Sequence, residues 1–128
     1  MAEGAPIDDW LEPVSELARQ RPFEPPTLQV AAALHRHAGN PEEAIDLLRQ
    51  ELRWRPHNTA ARLELTVTFR EQQRLVDVIK TIRPLLTLQP DNPQWHAIAA
   101  EAYLAMDRPE EAAPHLDACA GAPGCPVK

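Results

Sequence analysis

The chain has 128 residues, a formal net charge of −6 and a hydrophobic fraction of 44%, which suit one globular domain. This acidic balance argues against a nucleic-acid backbone or an anionic membrane as the main partner, because both need a basic face. No apolar run is long enough for membrane insertion. The first residues contain neither a basic leader nor an apolar core, so we predict no signal peptide and a cytoplasmic location.

Residues 1–24 form an N-terminal lead with one short helix in it. Apolar residues recur at helical spacing between Trp10 and Ala18, and the helix either starts near Pro13 or is kinked there. We expect this helix to cap the exposed face of the region that follows. Closely spaced prolines around residues 22–26 then predict a linker.

Two markers recur along the rest of the chain with one period. Pro56 and Pro90 both follow a predicted helix and are separated by one such period. The tetrapeptide Pro-Glu-Glu-Ala starts at Pro41 and again at Pro109, and these positions are separated by twice the same period. Agreement of two markers on one period predicts a repeat array. The predicted solenoid covers 25–119, with repeats over about 25–58, 59–92 and 93–124, and an irregular tail over 120–128.

The first repeat contains two predicted helices, over about 27–38 and 41–54. Gly39 is expected to end the first helix, since glycine favours the C-terminal cap position. Asn40 and Glu43 have the spacing of a capping box for the second helix.

The second repeat begins with a helix capped by Asn58 or Thr59. This helix is rich in β-branched residues, so packing rather than propensity must hold it. The turn over 71–74 lacks the glycine and proline of its neighbours. The next helix covers about 75–88 and contains Pro84, which either kinks the helix or ends it.

The third repeat begins at Pro93 with Asn92 as the predicted cap, and its first helix covers about 93–106. A last helix starts next to Pro109. Pro114 lies five places further on and either kinks or ends this helix.

The aligned repeats resemble the tetratricopeptide repeat (TPR), whose unit is two antiparallel helices with the same period, about 34 residues. The resemblance implies an all-α fold, a right-handed superhelix of three antiparallel helix pairs with a short N-terminal helix. The middle repeat is degenerate, and Gly124 stands where the last repeat should have its proline. The matching positions are Leu28, Ala31, Ala32, His35, Ala44, Leu48 and Pro56, then Arg62, Leu65, Thr66, Phe69, Val78, Ile82 and Pro90, then His96, Ala99, Ala100, Tyr103, Ala112 and Leu116.

Arrays of this family usually end in an extra polar helix that covers the last repeat. No such helix is predicted after about residue 120. Either the tail folds over the last helix, or a partner or second copy covers it, or the chain is truncated.

The resemblance also implies a concave groove, lined by the first helix of each repeat, that binds a peptide or an amphipathic helix of a partner protein. The lysine and asparagine clamp with which some members hold a C-terminal carboxylate is absent, so we do not predict capture of a chaperone tail. The groove residues expected from the family positions are Gln29, Val30, Ala33, Arg36, His37, Leu63, Glu64, Val67, Arg70, Ala97, Ile98 and Glu101.

The predicted function is therefore protein binding, as an adaptor or as a bacterial assembly or secretion chaperone. A rival hypothesis is a structural module that forms a homodimer through an uncapped last repeat, with Leu116 exposed.

No catalytic residue, metal site or cofactor is predicted, so we do not expect an enzyme. A zinc site at His115, Cys119 and Cys125 lacks a fourth ligand. The two cysteines could form a disulfide in an oxidising compartment, but two unpaired thiols are the favoured hypothesis. His35 occupies the aromatic position of its repeat and is expected in the core, and the paired glutamates are explained by helix capping.

Overall fold

The structure is a computed structural model that describes residues 13–14, 16–17, 19–20 and 27–126. These ranges contain helices and no strand, so the predicted all-α fold is confirmed. The described residues between 13 and 20 are helical. Six further helices follow: α1 (Thr27–His37), α2 (Pro41–Trp54), α3 (Thr59–Glu71), α4 (Leu75–Leu88), α5 (Pro93–Ala105) and α6 (Pro109–Cys119).

The chain divides into two compact units, an N-terminal unit up to Thr68 and a C-terminal unit from Phe69. In the N-terminal unit α1 packs against α2. Apolar residues recur every three or four positions and are buried: Leu28, Ala31 and Ala32 on α1, and Ala44, Ile45, Leu47 and Leu48 on α2. Ala32 and Ala44, small residues at the positions expected for close crossing, are 1% and 0% exposed.

The start of α2 differs from the sequence prediction. Asn40 makes no side-chain capping bond, and Glu43 instead accepts a 2.5 Å hydrogen bond from Arg19. The predicted capping box is therefore wrong. Its physical reason is the backbone of Asn40, whose φ of −113° and ψ of 68° do not have the extended geometry of a capping residue. Pro41 in the first turn and the acidic Glu42 still favour a helix start here.

The side chain of Asn58 forms hydrogen bonds to three other residues of the N-terminal unit. Its carbonyl oxygen accepts a bond from the backbone N–H of Ala61, so it caps α3 as predicted. Its amide donates to Gln29 at 2.7 Å and to the buried carboxylate of Glu51 at 2.9 Å. Arg55 donates to the other oxygen of Glu51 at 2.7 Å. A buried carboxylate is tolerated only with such partners, which is why Glu51 is stable inside the unit.

Buried threonines explain how α3 holds its β-branched stretch. Thr66 and Thr68 are fully buried, and each hydroxyl donates to the carbonyl four residues earlier, at 2.8 Å. The hydroxyls are thereby satisfied within the helix, so these side chains can pack as if they were apolar.

In the C-terminal unit α5 packs against both α4 and α6. Asn92 accepts a hydrogen bond from the N–H of Gln94, so the predicted cap of α5 is confirmed. Pro84 and Pro114 both lie inside their helices, which continue past them to Leu88 and Cys119. The sequence left open whether these prolines end the helices, and they do not.

The turn between the two helices of each repeat has a left-handed residue, and these residues are one repeat length apart. Gly39, Gln73 and Asp107 have φ values of 84°, 59° and 59°. After each of them, the next backbone N–H bonds a carbonyl five residues back, as in a Schellman motif. The turn over 71–74 therefore keeps the geometry of its neighbours without glycine.

Replacing Gln73 by glycine should stabilise the protein. A non-glycine residue in the left-handed region costs about 1 kcal/mol, which glycine does not incur. We expect Gln73→Gly to raise the free energy of unfolding by about this amount in urea denaturation. The neighbouring Gln72→Gly is the matched control, because φ at Gln72 is not positive and glycine gains nothing there. An equal effect of both variants on the free energy of unfolding would contradict the left-handed backbone at Gln73.

The tail after α6 is closed by a disulfide between Cys119 and Cys125, whose Cα atoms are 5.6 Å apart. The favoured prediction of two unpaired thiols is therefore wrong. The reason is the chain reversal after α6, where two backbone bonds over 119–125 bring the cysteines together. Cys125 packs against a buried cluster of Ala100, Ala112 and Leu116, so the tail folds over the last helix pair.

Leu116 is 6% exposed, which contradicts the exposed Leu116 of the rival hypothesis. Its burial comes from the contacts of α6 with α5 and from Cys125. A charge at Leu116 would disrupt this cluster whether or not the protein self-associates.

Reduction of the disulfide should destabilise the C-terminal unit. A cross-link that closes so short a loop stabilises the folded protein by about 2 kcal/mol, because it lowers the conformational entropy of the unfolded chain. We expect a reductant to lower the urea midpoint of the wild type. Cys125→Ala, which cannot form the bond, should start from the lower midpoint and not respond to the reductant. Two alkylatable thiols in the wild type before reduction would show that the bond is absent.

Candidate functional site

The C-terminal unit has a cleft of about 410 Å³ between the end of α3, the following turn and α5. Its volume lies in the range of ligand pockets. Three residues without charge, Leu75, Ala102 and Ala105, form its apolar side, and the alanines leave space next to α5. The polar side is formed by Arg70, Gln73 and Glu101.

Arg70 and Glu101 form an ion pair at the cleft, with 3.2 Å between guanidinium and carboxylate. Both side chains are about half exposed, at 45% and 53%. An exposed pair of this kind contributes at most about 1 kcal/mol. A ligand with its own carboxylate or amine could therefore exchange for one partner at small cost. Both residues belong to the groove set predicted from the sequence.

The groove residues predicted on α1 differ in their exposure. Val30 is 48% exposed, and His37 is also exposed. Ala33 and Arg36 are half-buried. Gln29 is half-buried, and its side chain accepts a hydrogen bond from Asn58.

The remaining predicted groove residues are less accessible. On α3, Leu63, Glu64 and Val67 are half-buried. On α5, Ala97 and Ile98 are buried at 7% and 8% exposure, so they support the fold rather than present a surface. Within the residues the structure describes, Val30, His37, Arg70 and Glu101 are the exposed members of the predicted set.

Four cleft residues were not predicted from the sequence: Gln73, Leu75, Ala102 and Ala105. Gln73 lies in the turn, and no glycine marks its left-handed backbone, so the chain carries no local signal there. Ala102 and Ala105 follow Ile98 and Glu101 at helical spacing on α5. Extending the groove pattern along α5 by one turn could have identified them.

A pair of histidines, His96 on α5 and His115 on α6, lies outside this cleft. Their Nδ1 atoms are 2.9 Å apart, and Nε2 of His96 is 2.6 Å from the carbonyl oxygen of Pro90. The ring of Tyr103 stacks on His115 with 5.8 Å between centroids. Because a carbonyl only accepts, Nε2 of His96 carries the hydrogen and donates it to Pro90. His115 then donates its Nδ1–H to the free Nδ1 of His96.

Burial lowers the pKa of His115 below its ordinary value, and the neighbouring His96 lowers it further. Desolvation disfavours the charged imidazole, and a second positive charge at this distance would repel it.

The stability of the protein should therefore fall when the pH decreases from neutral through the ordinary histidine range. The unfolded state binds a proton at His115 more readily than the folded state does, so acid favours unfolding. We expect the wild type to lose more stability between neutral pH and about pH 5 than His115→Gln, measured by urea unfolding at each pH. The groups facing His115 are His96 and Tyr103, so His96→Gln should also reduce the slope. A slope unchanged in both variants would contradict this interpretation.

Two absences concern only the part of the chain that the structure describes. There, no three His, Cys, Asp or Glu side chains come together as metal ligands. Among the same residues, no helix combines the length and apolar character needed to cross a membrane.

Helix pairs that recur with one constant period define a helical-repeat protein, a class that uses extended concave surfaces to bind other proteins. The family profile described as tetratricopeptide repeat matches residues 35–102, more than half of the chain. The protein therefore belongs to the tetratricopeptide repeat family, whose repeats are protein-interaction scaffolds. No curated protein matches the chain.

Solved structures of MamA have a similar fold. MamA of MSR-1 has a TM-score of 0.73 at 23% identity, covering 88% of this chain and 65% of that one. A further MamA crystal structure has a TM-score of 0.76 at 12% identity, covering 88% and 62%. MamA from residue 41 onward of Desulfovibrio magneticus RS-1 has 0.73 at 14%, covering 88% and 64%. The chain thus spans less than two thirds of these relatives.

Proposed function

We propose that this protein binds a peptide or an amphipathic helix of a partner protein on α1, α3 and α5, the first helices of its repeats. We also propose that it catalyses no reaction. The observation that carries the proposal is the cleft beside α5, where an apolar side meets a weakly held ion pair. Such a combination suits one apolar anchor residue of a peptide, with a neighbouring polar group directed to Arg70 or Glu101.

The small size of the alanines supports this proposal. Ala105 is exposed and Ala102 is buried beside it, so a ligand side chain can approach the backbone of α5 closely. A peptide anchor buried in a pocket usually carries much of the binding free energy, while an exposed ion pair adds orientation. In the N-terminal unit the exposed Val30 on α1 offers a separate apolar contact.

The roles of adaptor and of bacterial assembly or secretion chaperone remain narrower versions of this proposal. Both need a partner segment with an apolar anchor, and only the identity of the partner separates them. The homodimer hypothesis is not favoured, because Cys125 already packs on the cluster that it would use.

We propose a cytoplasmic location, and the redox state of Cys119 and Cys125 in the cell tests this proposal. Disulfides are rare where cellular thiols keep cysteines reduced. Cys119 is fully buried, which limits attack by such thiols. Alkylating free thiols during cell lysis would determine the state of both cysteines, and a largely oxidised pool would favour an oxidising compartment.

Filling the cleft should abolish partner binding without unfolding the protein. We expect Ala105→Trp to reduce capture of the partner from a native extract at least tenfold, because the indole occupies the space for the anchor residue. Ala113→Trp on α6 is the matched control, since Ala113 is also exposed but lies outside the cleft. Captured proteins are identified by mass spectrometry, and each affinity is then measured with the purified partner.

Partner capture that survives Ala105→Trp would contradict the role of the cleft. Loss of partner capture in Val30→Glu but not in Ala105→Trp would indicate that the binding site is on α1 in the N-terminal unit. Equal loss in Ala105→Trp and Ala113→Trp would indicate a general folding defect, which circular dichroism of both variants would reveal.

A further inference from the structure

The C-terminal unit contains a second cleft, of about 190 Å³, which shares no lining residue with the cleft beside Ala105. Its walls come from α4, from the end of α5 and from the start of α6. This volume is below the range of small-molecule pockets, which starts at about 300 Å³. The second cleft therefore suits one side chain of a larger ligand.

The inner part of the second cleft is apolar. Val76 and Ile79 contribute from one face of α4, and Val76 is 56% exposed there. Tyr103 and Met106 contribute from the end of α5, and both are half-buried. A methionine side chain adapts its shape to a neighbour, and the ring of Tyr103 offers a flat apolar surface. This part of the cleft can receive an apolar side chain.

Two cations of α4 lie at the edge of the second cleft. Lys80 and Arg83 follow Val76 and Ile79 by one helical turn each, so they lie on the same face of the helix, and both are exposed. Among the ion pairs of the described residues, none includes either of them. Asp77, the acid nearest to Lys80 in sequence, instead binds Arg74 at 3.0 Å. Both cations can therefore take a carboxylate from a ligand.

The start of α6 contributes a third cation and a single carboxylate. Arg108 and Glu111 are 3.7 Å apart, and both side chains are more than half exposed, so the pair is weak. A ligand carboxylate can replace Glu111 at small cost. The lining thus has three cations and one acid, an excess of two positive charges in a chain whose net charge is −6. Such a cleft attracts anionic groups locally, against the sign of the whole protein.

We propose that the second cleft binds an acidic segment of a partner protein. One apolar side chain of that segment packs on Val76 and Tyr103, and carboxylates next to it pair with Lys80, Arg83 and Arg108. Charge complementarity selects this occupant, and the apolar part adds the anchor that a purely ionic contact lacks. A nucleic acid or an anionic membrane needs a wider basic face, which this acidic chain does not offer.

The experiment is selection of binders from a displayed library of random peptides, with the full, oxidised chain as bait. We expect the enriched peptides to combine one large apolar residue with neighbouring aspartates or glutamates. The affinity of the most enriched peptide, measured with the purified protein, should fall as salt is added, because salt screens exposed charges.

Lys80→Glu and Arg83→Glu should each weaken this peptide by about tenfold, because either change places like charges together. Val76→Asp should weaken it similarly, by removing the apolar contact and adding a negative charge. Arg53→Glu is the matched control, since Arg53 is an exposed cation on α2 in the N-terminal unit and its reversal changes the net charge equally. Ala105→Trp, which fills the other cleft, should leave the affinity for the acidic peptide unchanged, so the two binding proposals fail or succeed separately.

Three results would overturn the proposal. The first is a selection that enriches no peptide, or enriches peptides without acidic residues. The second is wild-type affinity in both Lys80→Glu and Arg83→Glu, or an equal loss in Arg53→Glu, which would reflect net charge alone. The third is binding of phosphatidylserine vesicles, or self-association in sedimentation, that Lys80→Glu abolishes while the peptide affinity is unchanged. That outcome would assign the cleft to a lipid surface or to a second copy of the chain.

Discussion

Close approach of two helices through small residues is the constraint on which the first and the last helix pair depend. Ala32 and Ala44 are buried in the pair of α1 and α2, and Ala100 and Ala112 are buried in the pair of α5 and α6. Each alanine of the first pair lies two repeat lengths before its counterpart in the second. Interiors are packed so closely that one added methylene group is felt, so these positions restrict side-chain size more than hydrophobicity does. A left-handed turn follows the first helix of each of these pairs, at Gly39 and at Asp107.

The candidate site follows from this arrangement. When the second helix lies close behind the first, the first helix can present its other side to a ligand. In the C-terminal unit that side includes the cleft with Ala105 and the exposed pair of Arg70 and Glu101. In the peptide-binding proposal, the fold therefore determines where the ligand lies, and the side chains of the cleft determine which groups of the ligand are bound. The histidine pair joins α5 to α6 but has a separate set of contacts.

The constant repeat period made the fold predictable from the sequence, because proline, glycine and alanine mark positions where backbone geometry admits few residues. The start and end of α2 and α4 were predicted to the residue. Side-chain partnerships were harder to predict. The predicted capping box of Asn40 and Glu43 was wrong because the backbone of Asn40 is not extended and because Arg19, far away in sequence, binds the carboxylate of Glu43. The disulfide was a possible but not the favoured hypothesis, because the spacing of the two cysteines alone does not show how the tail turns. Glu51 gave no sign of burial apart from Arg55 four residues on.

The most direct measurement of the small-residue constraint is urea unfolding of Ala112→Leu beside Ala113→Leu. Ala112 is fully buried against α5, whereas the adjacent Ala113 is exposed on the same helix. The account predicts that Ala112→Leu lowers the free energy of unfolding by about 1–3 kcal/mol, as overpacking does, and that Ala113→Leu changes it little. Equal stability of the two variants would contradict the claim that close helix approach at alanine holds the pair of α5 and α6 together.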